Sequence, residues 1–232
     1  MITDLPLVVR GQHVSLRAID REDYADFYEW RADINASQLL TSTSHIVVFE
    51  EFAEPLERLL TQSITLFVAD TVSGEAVGYV QAYGISMAEG WCYVSVYISQ
   101  AARGQTAGRE AGLAFFDHLL TDYTFRKLYI DVYEFNRGWL DGSGGEELGL
   151  VKEEGHFRGH VRRDGRLWDV HRYAIYRDRW IQIRDFIRAL YREGEEQTVR
   201  ELAPLVASAA RLSGKPTLEL RSEDLLAAMR EA

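Results

Sequence analysis

Between residues 91 and 134 an apolar strand runs into a glycine-rich turn, the turn opens a helix, and the helix leads to a second strand. No other stretch restricts the fold of this chain so strongly. The first strand is W-C-Y-V-S-V-Y-I-S from Trp91, and the turn is Arg103, Gly104, Gln105, Thr106, Ala107 and Gly108. Leu113, Phe116, Leu119, Leu120 and Tyr123 form one helical face, and K-L-Y-I-D-V-Y-E at residues 127–134 is the second strand. The result is a βαβ unit with glycines at its first junction. A turn of this kind leaves backbone N–H donors aimed at whatever anion sits over the helix N-terminus. Gly104 and Gly108 let the backbone approach a ligand closely, and Arg103 adds a fixed positive charge. The stretch reads as a phosphate-binding turn; alone it reads equally as an ordinary strand-to-helix loop.

At 232 residues the chain has room for one generous domain, or one domain with an appendage. A formal net charge of −10 leaves no surplus of Lys and Arg to neutralise a phosphate backbone, so nucleic acid is not an expected partner. An amine-bearing, cationic substrate suits that charge better. The single cysteine, Cys92, lies in an apolar run and reads as core; it has no partner for an internal disulfide. No signal-peptide pattern opens the sequence and no apolar run reaches membrane-spanning length. A cytoplasmic location without membrane association is the expectation.

Upstream of the βαβ unit, Val14, Leu16 and Ala18 alternate with polar neighbours as in a strand with one buried face. Asp20 then caps a helix carrying Tyr24, Phe27, Tyr28 and Ala32, and Phe49, Phe52, Leu56, Leu59 and Leu60 mark a second. Residues 64–70 and 75–83 flank a Thr71-Val72-Ser73-Gly74 turn and predict a hairpin. Downstream, residues 136–147 hold four glycines and read as a broken helix or a loop. Residues 150–160 and 167–177 predict a closing hairpin across Arg163, Asp164, Gly165 and Arg166. Beyond Trp180 the chain is helical. Ile183, Phe186, Ile187, Leu190 and Tyr191 share a face, a second helix is kinked or restarted by Pro204, and Ser222 caps a third. The apolar side of this tail must be covered by its own domain or by a second subunit, and a homodimer through it is the favoured expectation.

This order of elements resembles the GNAT superfamily of N-acetyltransferases, and within it the branch of ribosomal-protein N-terminal acetyltransferases. The likeness rests on Val14-Ser15-Leu16-Arg17-Ala18 with Glu22-Asp23, on Ser73-Gly74-Glu75-Ala76-Val77-Gly78-Tyr79, and on residues 103–110. Asn136, Leu148-Gly149-Leu150, Asp169-Val170 and Arg177-Asp178-Arg179-Trp180 continue it. It implies an α/β (α+β) fold with a central mixed, mostly antiparallel twisted sheet flanked by helices. Residues 1–180 would form the acyltransferase domain and residues 181–232 a C-terminal helical extension. It also implies acetyl-CoA as cofactor, with pantetheine along the backbone of Val96, Tyr97 and Ile98, pyrophosphate over residues 103–108, and help from Asn136. The reaction implied is acyl transfer to an amine, which needs a base, N–H donors for the oxyanion and an acid for the thiolate.

Two positions depart from the family pattern. Thr106 stands where the phosphate turn usually has glycine or alanine, adding bulk and also a hydroxyl. Gly145 stands where many members carry a tyrosine acid. Tyr93, Tyr133 and Asp169 are the candidate catalytic substitutes, with Ser95 and Glu134 beside them; each also has an ordinary role open to it as core tyrosine or solvated polar group. His156, His160 and His171 share the closing hairpin, where alternation places some of them on one face; their spacing does not predict a metal site, and they read as hairpin surface first and as a pH-active base near the substrate second.

The leading expectation is an acetyl-CoA-dependent N-acetyltransferase acting on a small amine or a peptide N-terminus. A silent GNAT domain that binds a coenzyme or protein partner, and an acyltransferase fed by a carrier protein, are the alternatives.

Overall fold

The computed structural model describes residues 7–32, 48–102, 106–123, 125–139, 145–146, 148–192 and 202–231. Arg103, Gly104 and Gln105 of the glycine-rich turn lie outside them, as do Gly142, Gly144 and Val199.

Among the described residues the strands are β1 (Leu7–Arg10), β2 (Val14–Arg17), β3 (Ile64–Asp70), β4 (Ala76–Ser86), β5 (Trp91–Ile98), β6 (Lys127–Tyr133), β7 (Val151–Arg163) and β8 (Arg166–Tyr176). They form one sheet in the order β1-β2-β3-β4-β5-β6-β8-β7. Every neighbouring pair is antiparallel except β5 with β6. That parallel pair is joined through helix α3 (Ala107–Thr121), as its crossover requires. The sheet is therefore mixed and mostly antiparallel. The β7–β8 hairpin turns on Asp164 (φ 50°) and Gly165 (φ 74°), two consecutive positive φ values that match the right-handed twist of the strands.

Alternation along the strands divides the sheet into two faces. Val14, Leu16, Val68, Val80, Cys92 and Val94 point to the face covered by α3, where they share one buried cluster with Ala111, Phe115 and Leu119. Phe67, Tyr79 and Tyr97 point to the other face and pack with Phe27 of α1 (Tyr24–Ala32) and Leu56 of α2 (Phe49–Thr61). Ahead of α1, Asp20 caps a 3-10 turn, Arg21–Asp23, rather than the α-helix itself. The Glu22 N–H donates to the Asp20 carboxylate and the Asp20 N–H to that of Asp23. Glu110, on the first turn of α3, accepts from the His13 and Val14 N–H groups at 2.9 and 3.2 Å and ties β2 to the helix.

The helices after β8 are α4 (Arg177–Gln182), α5 (Arg184–Arg192), α6 (Leu202–Ser213) and α7 (Ser222–Glu231). Ile183, Phe186, Ile187, Leu190 and Tyr191 are all buried in the same cluster as α3 and the sheet, joined by Leu202, Val206 and Leu225. The apolar stripe is thus covered by the chain's own core, which removes the reason the sequence offers for a dimer through these helices. Burial of this kind is worth roughly 25 cal/mol per Å². Pro204 is the third described residue of α6, directly after residues that lie outside the described ones. Ser222 is not the cap of α7: its hydroxyl donates to the Gln182 carbonyl and accepts from the Phe186 N–H. The helix start is instead closed by Asp224, which accepts from the Arg221 N–H at 2.9 Å. No described helix is long and apolar enough to cross a membrane.

Candidate active site

β5 and β6 pair through Trp91 with Lys127, Cys92 with Leu128 and Tyr93 with Tyr129, and there the pairing stops. Each strand continues, but beside its outer neighbour: β5 stays with β4 up to Ile98 opposite Gly78, and β6 stays with β8 up to Tyr133 opposite Val170. Held from outside, the two strands part and open a cleft of about 500 Å³. Val94, Ser95, Val96, Tyr97 and Ile98 form one wall and Ile130, Asp131, Val132 and Tyr133 the other. Gly108 and Phe116 of α3 close the side toward the helix, and Tyr83, Asn136, His160, Val161 and Val170 complete the lining.

Six of the residues expected from the sequence meet here: Val96, Tyr97, Ile98, Gly108, Tyr133 and Asn136. Asn136 is exposed on the 3-10 turn Glu134–Trp139. A Cβ on Gly108 would lie 3.1 Å from Ile98 Cγ1, so the helix start and the end of β5 approach as closely as glycine allows. Thr106 is the N-cap of α3 and nearly buried, and its side chain makes no capping hydrogen bond. Ala107, the first residue of α3, is buried and does not line the cleft.

Tyr93 lies at the last paired rung, beside the cleft rather than in its lining. Its ring stacks on that of Tyr83 at 5.6 Å and lies tilted 5.4 Å from that of Tyr129, with the Arg172 guanidinium 4.8 Å above it. Asp169 is not among the residues that line the cleft. It accepts from the Gly159 N–H at 2.7 Å and pairs with His156 Nε2 at 2.6 Å. Those bonds hold its carboxyl below the usual range, so it is an ionised anchor for β7. Of the two remaining candidates, Ser95 lines the cleft and Glu134 does not.

Sequence reasoning missed Tyr83 and Asp131, and named His160 only as one of three hairpin histidines. Tyr83 follows Tyr79 and Gln81 at period two on the aromatic face of β4, a legible signal. His160 had none. The register of β7 with β8 slips between Phe157 and Val161, with Gly159 at φ 55°, and the slip sets His160 against the Phe157 ring and into the cleft. His156 stays behind, its ring stacked 4.4 Å from that of His171. Asp131 receives two hydrogen bonds from Arg172, at 2.7 and 2.8 Å, so its charge is already matched. The Tyr83 hydroxyl is pushed up to about 12, first by burial and then by Asp131, and that of Tyr133 is raised by the same two causes. Both hydroxyls therefore stay protonated at neutral pH and can donate. The cleft thus combines two neutral hydroxyl donors, one imidazole and a helix N-terminus.

The spermidine N-acetyltransferase from Vibrio cholerae, crystallised with CoA and spermine, superimposes with a TM-score of 0.66 at 21% identity, covering 73% of this chain and 98% of that one. A GCN5-related N-acetyltransferase from Brucella melitensis gives a TM-score of 0.64 at 18% identity over 86% of this chain and 96% of its own. At such identities the likeness establishes a common fold. No curated protein sequence matches. The model of the acetyltransferase (GNAT) domain matches residues 13–140, from the start of β2 to the end of the turn that bears Asn136. With more than half of its length carrying that domain, the chain belongs to the GNAT family of acetyltransferases.

Proposed function

We propose that the protein acetylates the primary amine of a small cationic molecule, with both reactants meeting in the cleft between β5 and β6. The observation that carries this reading is the abrupt end of the β5–β6 pairing at Tyr93 and Tyr129, with the start of α3 at the open end. As a GNAT acetyltransferase the protein uses acetyl-CoA, and the groups present fit it. The first turn of α3 offers N–H donors to a pyrophosphate, and Gly108 keeps the approach open. The edge of β5 from Val94 to Ile98 faces the cleft along the course of a pantetheine arm.

When bound, acetyl-CoA supplies the acyl group as an activated thioester. The chain's own residues do the rest. His160, the one imidazole among the described lining residues, is our candidate for the group that takes the proton of an incoming ammonium. Tyr133 and Tyr83 are placed to give a proton to the departing sulfur, both being held neutral. Tyr83 and Tyr133 line the cleft with their rings, aromatic surface suited to an aliphatic cation.

A small cation also suits the net charge of −10, and the Vibrio cholerae structure holds spermine. The finer likeness to the ribosomal-protein branch favours a peptide N-terminus, and one experiment separates the two. Thiol release from acetyl-CoA is followed with spermidine, spermine and simple monoamines, and in parallel with short peptides bearing a free N-terminus. Small amines are expected to support turnover and peptides not. Turnover with peptides alone transfers the assignment to an N-terminal acetyltransferase, and no turnover with either class overturns the proposal.

A further inference from the structure

Behind the cleft lies a second cavity of about 80 Å³, on the α3 side of the sheet. Phe116 and Ile130 belong to the walls of both spaces, so the two adjoin. Ile130 is the first residue of β6 beyond the last rung shared with β5, which sets this junction at the apex of the parted strands. Phe116 lies ten residues along α3 from Thr106, about 15 Å at 1.5 Å per residue. The cavity runs along α3 from Arg109 to Phe116, and its Phe116–Ile130 end lies next to the place where a thioester would lie.

Its lining defines what can enter. Leu113, Leu150, Ile187 and Leu202 supply hydrocarbon, and Gly112 and Gly145 form wall without filling the space. Trp180 also borders it, but its indole N–H is committed to Asp117 at 2.9 Å. Such a cavity suits hydrocarbon and not water, and has room for several methylene-sized groups.

We propose that this cavity is an acyl-chain site, so that the enzyme accepts acyl groups several carbons longer than acetyl. The inference rests on the placement of the thioester in the β5–β6 cleft. The chemistry balances for any chain length: the amine nitrogen bonds to the acyl carbon, the carbon–sulfur bond breaks, the amine loses a proton and the CoA sulfur gains one.

The test needs no knowledge of the amine. CoA and its S-ethyl, S-butyl and S-hexyl thioethers are titrated calorimetrically into the full chain. Affinity is expected to rise roughly three- to fourfold per added methylene until the cavity is full, as burial of a methylene implies. Leu113→Trp fills the space and should flatten the series. Gly112→Ala should make it shallower; its added Cβ meets Val96 Cγ2 at 3.5 Å and the Phe116 ring at 3.7 Å, ordinary contacts that leave the fold intact. An affinity that is level or falls from ethyl to butyl while CoA itself binds overturns the inference and leaves the cleft assignment standing. A series equally steep in both variants also overturns it, because the chain then lies elsewhere. Failure of CoA itself to bind overturns the inference together with the placement beneath it.

Discussion

The Trp180 indole N–H donates to Asp117 Oδ1 at 2.9 Å, joining the helix that follows the last strand to the crossover helix. The other oxygen of Asp117 accepts from Arg188 Nε at 2.8 Å and from the Tyr191 hydroxyl at 3.1 Å. One buried carboxylate therefore gathers α4 and α5 onto α3. Asp117→Ala removes the acceptor for all three donors and leaves the Arg188 charge without its partner. Loss of one side of a buried pair costs about 3–5 kcal/mol. Urea titration should show a much lower midpoint. Asp117→Asn keeps an acceptor and should lose less; equal midpoints for wild type and Asp117→Ala would exclude this role.

Gly78 sits opposite Ile98 in the β4–β5 ladder, and a Cβ there would lie 2.1 Å from the Tyr97 carbonyl oxygen. Gly78→Ala must push that end of β5 aside. Overpacking typically costs about 1–3 kcal/mol, and here it also displaces a wall of the cleft. Both the thermal midpoint and the affinity for CoA should fall. Unchanged affinity would show that the end of β5 takes no part in coenzyme binding.

Two protonated hydroxyls, those of Tyr83 and Tyr133, face the cleft where families with a single dedicated acid have one. Tyr83→Phe and Tyr133→Phe should each lower kcat while leaving KM for the amine little changed. Neither should abolish turnover, since removal of a general acid costs about 10²–10⁴-fold and here each hydroxyl backs up the other. The double variant should lose more than either. Complete loss in one folded single variant would identify a unique acid.

Cys92 is fully buried, and burial pushes its thiol up to about 12. Only the thiolate reacts, so its population stays small at every pH below that value and rises only as pH approaches it. Native protein should therefore resist disulfide reagents at pH 8, and urea-unfolded protein should take up one equivalent. Fast labelling of the native chain would contradict the packing of β5 against α3.

Much of this was legible in the sequence where local chemistry and tertiary demand agree. Asp164 and Gly165 favour the positive φ values that the β7–β8 turn needs, and the period of Leu113, Phe116, Leu119 and Leu120 follows the face that α3 buries. Long-range partners were not legible. Ser222 has the residue type of a cap, yet its hydroxyl is used by Gln182 and Phe186, some forty positions upstream. Asp169 is held by Gly159 and His156, ten and thirteen residues upstream, and His160 follows a register slip between Phe157 and Val161 into the cleft. No spacing of polar residues reports such a slip. The parting of β5 and β6 was not legible either, because it arises from how the outer strands hold each one.

The central claim is that coenzyme lies between β5 and β6 with its phosphates over the start of α3, and calorimetric titration of CoA into Gly108→Asp tests it most directly. The substitution sets a carboxylate at the helix start, where an anionic ligand would be repelled, and crowds Ile98, from which a Cβ would be 3.1 Å distant. The account predicts micromolar binding to the wild type and a loss of at least about a hundredfold in the variant, with the circular dichroism spectrum preserved. Undiminished binding to a folded Gly108→Asp chain would contradict it.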